Sequence, residues 1–231
     1  MAHSNEPVLR VGLDASWVAP HVIYQGEQPV AGVVYDAIEQ IAKNVQLKVK
    51  WQVLPRKRLM QMLDQHQTDM VCHLHPKWLS REYPPERWSG LFMRQESVFI
   101  QPPNRPVKPL VLAEVDHLVL GTIFGYQYPA LDDYFKHGNI QRLDSPRLDV
   151  LLKQTRNGKL PLSVANRLSV EAFNRTLPVN QRLTITQTLD TQETLCLLAD
   201  KPGLPVAQIK QAIEQLHSSK QLEAIIDQYT R

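Results

Sequence analysis

The alternation of strand-like and helix-like segments over the first 74 residues most constrains how this chain can fold. The strand-like segments alternate apolar and polar side chains, and the helix-like segments repeat apolar side chains at helical spacing. Three strands and two helices alternate in this way, over residues 8–14, 33–44, 47–54, 58–65 and 68–74. This order is typical of a parallel sheet with crossover helices, so the sequence predicts an α/β fold.

A proline-rich segment interrupts this pattern after a further strand-like stretch at residues 97–100. Residues 101–109 contain four prolines and mark a boundary, beyond which the alternation restarts. The later predicted strands are residues 117–124, 162–165 and 193–199, and the predicted helices are residues 129–137, 148–155 and 168–175 and two short helices within 206–229.

The predicted sheet indicates where functional residues should lie, because ligands of open α/β sheets bind beyond the carboxyl ends of the parallel strands. The stretch 15–31, which follows the first strand and contains two prolines and a glycine, is expected to be irregular. Candidate functional residues are therefore sought directly after five positions, namely Asp14, Leu54, Leu74, Phe124 and Ala165.

Charge and composition exclude several classes of protein. The formal net charge is +3 and the densest basic cluster is Arg56-Lys57-Arg58, far less than the basic face of a nucleic-acid-binding protein. No apolar run is long enough to cross a membrane, and the polar N-terminus is not a signal peptide. The chain is therefore expected to be either cytosolic or exported with its leader removed.

The two cysteines, Cys72 and Cys196, give little information about function. Their number and spacing match neither a disulfide-rich scaffold nor a metal site. They are expected to be two free, buried thiols.

Segments along nearly the whole chain resemble, in order, the bacterial extracellular solute-binding proteins of family 3, the amino-acid-binding receptors of ABC importers. The similar segments are LRVGLD at residues 9–14, GVVYD at 32–36, LDQHQTD at 63–69, WSGLF at 88–92, GTIFGY at 121–126 and QLEAIIDQY at 221–229.

This resemblance implies a two-lobed periplasmic-binding-protein fold of type II, in which each lobe is a mostly parallel sheet flanked by helices and two hinge strands join the lobes. Lobe 1 would comprise residues 1–98 plus 198–231 and lobe 2 residues 99–197, with hinge crossings near 97–103 and 193–199. The lobes would close over a small polar ligand bearing a carboxylate, such as an amino acid. The resemblance also implies a periplasmic monomer without enzymatic activity or cofactor, whose partner is an ABC permease or a membrane sensor.

In lobe 1, the resemblance assigns ligand-facing positions to an acid and to aromatic rings. Asp14 would face the ligand or order the following loop through its backbone. Trp17 would cover the ligand and offer a face to an ammonium group, and Tyr24 is a weaker candidate of the same type. The alternative for both rings is packing beneath the loop.

Arginine is the residue expected to hold a ligand carboxylate, since its planar guanidinium group can donate two parallel hydrogen bonds to the two carboxylate oxygens. The resemblance points to Arg81, with Arg87 as a fallback. Arg58 could face the cleft as a second cation. A surface position is the alternative for each.

His73, His75 and Trp78 place bulky rings where the family has small residues, which predicts a smaller or reshaped pocket. Two histidines in an H-x-H pattern without a third ligand are insufficient for a metal site, so none is predicted. In lobe 2, Gly125 allows close approach of the backbone to an anionic group, and Tyr126 could line the cleft or pack. Asn166 stands where the family has an aspartate for the ammonium group of the ligand, and it supplies no charge.

Two alternatives to a binding receptor remain. Cyclohexadienyl dehydratases are similar to this family, but Ser169 stands where their glutamate would be and Glu171 is displaced by two positions. A module that has lost small-ligand binding is the other alternative, favoured by the bulky residues 73–78 and by Asn166.

Overall fold

The computed structural model describes residues 7–107 and 110–230. The strands are β1 (Val8–Asp14), β2 (Ile23–Gln25), β3 (Gln28–Ala31), β4 (Lys48–Leu54), β5 (Met70–Leu74), β6 (Trp88–Gln101), β7 (Leu118–Ile123), β8 (Ile140–Ser145), β9 (Ser163–Asn166) and β10 (Thr184–Leu198). The helices are α1 (Val33–Asn44), α2 (Arg56–Asp64), α3 (Asp132–Lys136), α4 (Leu148–Arg156), α5 (Arg167–Arg175), α6 (Val206–Ser218) and α7 (Gln221–Thr230). Within the described residues, none of the helices is long and apolar enough to cross a membrane.

Eight strands form one sheet in the order β4-β1-β5-β10-β6-β9-β7-β8. At one end β1 pairs in parallel with β4 and β5, and at the other β7 pairs in parallel with β8 and β9. The central strands β6 and β10 are antiparallel to each other and to the flanking strands β9 and β5. Two parallel α/β halves are therefore joined through one long antiparallel pair.

Strands β6 and β10 pair with each other along almost their whole length, and each has a second neighbour over only part of it. Residues 97–100 of β6 pair with β9, and residues 195–198 of β10 pair with β5. Between these stretches, residues 93–96 of β6 and 191–194 of β10 pair with each other. This segment is where the chain passes between the two halves.

Each half has its own apolar core, because the apolar face of each helix packs against the sheet. In the first half, Ile38 and Ile41 of α1 belong to the same core cluster as Leu13 of β1 and residues of α6. These three side chains are fully buried. In the second half, Leu151 of α4 packs against Val98 of β6. The helical spacing in residues 33–44 thus correctly predicted the face that α1 buries.

Three features of the fold differ from the sequence-based expectations. Residues 15–31 are not irregular throughout, since β2 and β3 form a hairpin whose turn begins at Gly26, with a φ of 63°. Strand β8 was not predicted, and β6 and β10 begin well before the predicted strands. Long-range pairing extends these two strands through stretches that carry no regular alternating pattern.

The expectation of two free thiols is wrong, because Cys72 and Cys196 form a disulfide. Cys72 lies on β5 and Cys196 on β10, which are neighbours in the sheet, and both side chains are buried. The sheet topology brings together two residues that are 124 positions apart in the sequence.

Candidate functional site

An ion pair occupies the carboxyl ends of two neighbouring strands in the first half. Asp14 ends β1, and Arg56 opens α2 directly after β4, whose last residue lies beside Asp14. The Nε of Arg56 donates to Oδ2 of Asp14 at 2.9 Å, and these side chains are only 8% and 4% exposed. The other carboxylate oxygen of Asp14 accepts a hydrogen bond from the backbone of Ser16 at 2.9 Å. Asp14 therefore both orders the loop and binds a buried cation.

The guanidinium group of Arg56 also contacts aromatic rings. It lies 4.0 Å from the centre of the Tyr126 ring, which follows β7 in the other half, and 6.0 Å from the Trp78 ring. Burial alone would lower the pKa of Arg56, but Tyr126 and Asp14 together hold it above its usual value. Burial raises the pKa of Tyr126, so its hydroxyl stays neutral. Arg56 is thus a charged cation held between both halves.

Three further polar contacts join the halves around this ion pair. The hydroxyl groups of Ser16 and Tyr126 are 2.8 Å apart, and the backbone amide of Leu148 donates to the carbonyl of Ser16 at 3.1 Å. The Nδ1 atom of His21 forms a 2.9 Å hydrogen bond with the hydroxyl of Ser169. The two halves are therefore closed on each other.

These contacts enclose a small space, called here the inner cavity, of about 50 Å³. Ligand pockets usually measure about 300–1,000 Å³. The inner cavity, at about 50 Å³, has room for only a few water molecules. Its walls contain only neutral side chains. They are Ser16, Trp17, His21, His73, Gln95, Ser97, Ile123, Tyr126, Tyr128, Leu148, Val164, Ala165, Asn166 and Ser169.

The two histidines of the inner cavity are neutral. The centres of the His21 and His73 rings are 5.2 Å apart, and Nδ1 of His73 is 3.0 Å from the hydroxyl of Thr194. Burial lowers the pKa of His21 to about 4 and, with the positive charge of Arg56 nearby, lowers that of His73 well below its usual value. The inner cavity therefore offers hydrogen bonds without a formal charge.

Asn166 lies at the end of β9 and caps helix α5. Its side-chain oxygen accepts a hydrogen bond from the backbone of Ser169 at 3.4 Å. This contact gives Asn166 a local structural role besides its position in the wall of the inner cavity.

A larger space, called here the outer groove, has Arg56 in its wall, whereas Tyr126 lines the inner cavity. The outer groove measures about 490 Å³ and is lined from both halves. Its walls are Arg56, Lys57, Met60, Gln61, Asp64, Trp78, Leu79, Ser80, Arg81 and Tyr83 of the first half, and Gly125 and Gln127 of the second.

Arg81 is an exposed cation in the wall of the outer groove. Its side chain is 58% exposed, and Nη1 donates to Oδ2 of Asp64 at 2.9 Å. The guanidinium carbon also lies 4.6 Å from the centre of the Tyr83 ring. On the facing wall, Gly125 has a φ of 81°, and a Cβ atom there would have no heavy atom within 4 Å. The backbone at Gly125 is therefore open to close approach by a ligand.

The remaining candidates lie away from these two spaces. Arg58 is exposed on α2 and lines neither. His75 packs 5.7 Å from the Trp78 ring and accepts a hydrogen bond from the backbone of Lys77. Tyr24 lines a separate groove beside Trp51, and burial raises the pKa of its hydroxyl to about 12.

The fallback residue Arg87 donates to the carbonyl of Leu198 at 2.9 Å and lies outside the outer groove. Among residues 7–107 and 110–230, no cluster of three or more His, Cys, Asp or Glu side chains could hold a metal ion.

The sequence-based assignment missed four residues at the interface between the halves: Ser16, His21, Arg56 and Ser169. Arg56 carried a usable signal, since it is the second residue after the strand end at Leu54 and belongs to the densest basic cluster. The helix was expected to begin at residue 58, and the first turn of α2 at residue 56 instead places Arg56 in the interface.

Residues 9–231 match the model of the bacterial extracellular solute-binding proteins, family 3. An ancestral arginine-binding protein bound to arginine has a TM-score of 0.78 and 14% identity, with 97% of this chain and 98% of that chain covered. The arginine-, lysine-, histidine-binding protein ArtJ from Geobacillus stearothermophilus has a TM-score of 0.71 and 15% identity, with 96% and 94% covered. The periplasmic VFT2 domain of Bordetella pertussis BvgS has a TM-score of 0.71 and 15% identity, with 98% and 94% covered.

No curated protein sequence matches the chain. The structural similarities confirm the predicted two-lobed periplasmic-binding-protein fold.

Proposed function

Because the chain belongs to the bacterial extracellular solute-binding proteins of family 3, we propose that it is a receptor for a small polar ligand bearing a carboxylate. The ligand, an amino acid or a related carboxylate, binds in the outer groove between the lobes. The observation that carries this proposal is the pairing of cations on one wall of this groove, Lys57 and Arg81, with the open backbone at Gly125 on the other.

Arg81 is the proposed carboxylate clamp. Its guanidinium group already binds one carboxylate, that of Asp64, and it is exposed enough to exchange this partner for a ligand. A planar guanidinium group holds a carboxylate through two parallel hydrogen bonds. Lys57 adds a second positive charge to the groove. The ligand would then contact both lobes only when they are closed, and this differential contact shifts the population towards the closed state.

The proposed lobes are residues 1–98 plus 198–231 and residues 99–197. The proposed hinge crossings lie near residues 97–103 and 193–199. They are supported by the second neighbours of β6 and β10, since residues 97–100 pair with β9 of one half and residues 195–198 pair with β5 of the other. The proposed location is the periplasm, which is supported by the family and by the Cys72–Cys196 disulfide, since disulfides persist in oxidising compartments. The proposed partner is an ABC permease or a membrane sensor.

A thermal-shift screen over amino acids, their derivatives and small carboxylates tests this proposal, because a ligand that binds only the folded state raises the melting temperature. Arg81→Ala should abolish the shift produced by the best ligand. Arg58→Ala is the matched control, since it removes an exposed arginine outside the groove and should keep the shift. A shift that survives in Arg81→Ala would remove this residue from the site.

A second candidate is a closed module that no longer binds a small ligand in its cleft. The inner cavity of about 50 Å³ and the ion pair between Asp14 and Arg56 favour it, because the protein's own side chains fill the space between the lobes. No shift with any member of the panel, together with closed lobes under all conditions, would support this candidate over the receptor. The dehydratase alternative gains no support from the described residues, in which Ser169 binds His21 and Glu171 pairs with Arg167 at 3.6 Å.

A further inference from the structure

We propose that Asp14, Tyr126 and Trp78 form a binding site for a guanidinium group, and that Arg56 occupies this site as a ligand built into the chain. Arg56 lines the outer groove and Tyr126 lines the inner cavity. The guanidinium site is independent of which molecule, if any, binds in the outer groove.

The three side chains offer what a buried guanidinium group requires. Asp14 supplies a carboxylate that is nearly inaccessible to water, and its second oxygen is already held by the backbone of Ser16. The Tyr126 ring lies 4.0 Å from the guanidinium carbon, within the range of a strong cation–π contact. Trp78, at 6.0 Å, is a second aromatic neighbour. Without a cation here, Asp14 would be a buried and unpaired carboxylate.

The site is assembled from both halves of the fold. Asp14 ends β1 and Trp78 follows β5, whereas Tyr126 follows β7 in the other half. A cation in this position therefore contacts both halves at once, as a ligand does when it closes a two-lobed receptor. Arg56 provides these contacts from within the chain, so it favours the closed arrangement even before a ligand binds.

The geometry favours a guanidinium group over an ammonium group. The guanidinium of Arg56 donates from Nε to the carboxylate of Asp14 while its carbon lies over the Tyr126 ring. An ammonium group is compact and strongly hydrated, so it loses more hydration on burial and has no face to stack.

Chemical rescue of Arg56→Ala tests the proposal. This variant keeps Asp14, Tyr126 and Trp78 and empties the site, so methylguanidinium chloride should raise its melting temperature. At ten times the dissociation constant the expected rise is about 3–6 °C. Methylammonium chloride at the same concentration should have little effect, and neither salt should stabilise the wild type. Arg58→Ala, which removes an exposed arginine from the same helix, should respond like the wild type.

Arg56→Gln provides a second variant of similar length, in case Arg56→Ala does not fold. A rise of equal size with methylammonium, or no rise with methylguanidinium in a folded variant, would overturn the proposal.

A measurement on the wild type stands independently of both variants. The Nε–H proton of Arg56, assigned by isotope labelling and NMR, should exchange slowly with water and carry a ring-current shift from Tyr126. Rapid exchange together with an unshifted resonance, in protein without added ligand, would show that Arg56 does not occupy the site.

Discussion

Acidification is expected to destabilise this protein through the buried histidine His21. In the folded state its pKa is about 4, because burial penalises the charged imidazolium. In the unfolded chain the pKa returns to about 6.5. Between these two values the unfolded state binds a proton that the folded state does not, so stability is present above pH 6.5 and decreases as the pH falls towards 4.

The size of the effect follows from the difference between the two pKa values. A difference of about 2.5 units corresponds to about 3 kcal/mol, at about 1.4 kcal/mol per unit. His73, whose pKa is also lowered by burial, adds to the loss in the same direction. Protonation of both rings, whose centres are 5.2 Å apart, would also place two like charges together beside Arg56.

Urea denaturation at a series of pH values between 7.5 and 4 measures this loss. His21→Gln retains a side chain able to bond Ser169 but cannot titrate, so its stability should fall less steeply with decreasing pH than that of the wild type. His137→Gln removes an exposed histidine and should follow the wild type. Identical pH dependence in wild type and His21→Gln would refute the assignment of the loss to this residue.

Three further substitutions test the packing around the site and the sheet. Asp14→Asn should cost about 3–5 kcal/mol in urea denaturation, because it leaves a buried guanidinium group without its counter-charge. Replacing Cys72 and Cys196 together with alanine should cost about 2–4 kcal/mol in the same assay, since it releases a loop of 124 residues in the unfolded chain. Gly121→Ala should lower the melting temperature, measured by circular dichroism, because its Cβ would lie 2.3 Å from the hydroxyl of Ser163.

The elements whose pattern is local were predictable from the sequence. Strand β1 and helix α1 begin and end at the predicted residues, because alternating and helical spacings of apolar side chains directly reflect one buried face. The first halves of β6 and β10 were not predictable, since they lack a regular alternating pattern and their strand structure depends on pairing with each other across the molecule. The disulfide likewise depends on topology, which brings β5 beside β10.

The sequence predicted the location of the candidate site better than the identity of all its residues. The carboxyl ends of β1, β4 and β7 do bring Asp14, Arg56 and Tyr126 together. The choice of Arg58 over Arg56 depended on where α2 begins, and a shift of two residues turns a helical side chain to another face. Local sequence patterns specify helix boundaries poorly. Which side chains of the first turn of α2 face the interface could therefore be determined only from the structure.

The most direct test of ligand binding between the lobes is an NMR titration of the wild-type protein with the best carboxylate from the screen. The two signals to follow are the backbone amide of Gly125 and the Nε–H group of Arg81, which lie on opposite walls of the outer groove. We predict that both signals shift and saturate together, with one dissociation constant. A ligand that shifts neither signal, or only signals around Tyr24, would contradict the proposed site.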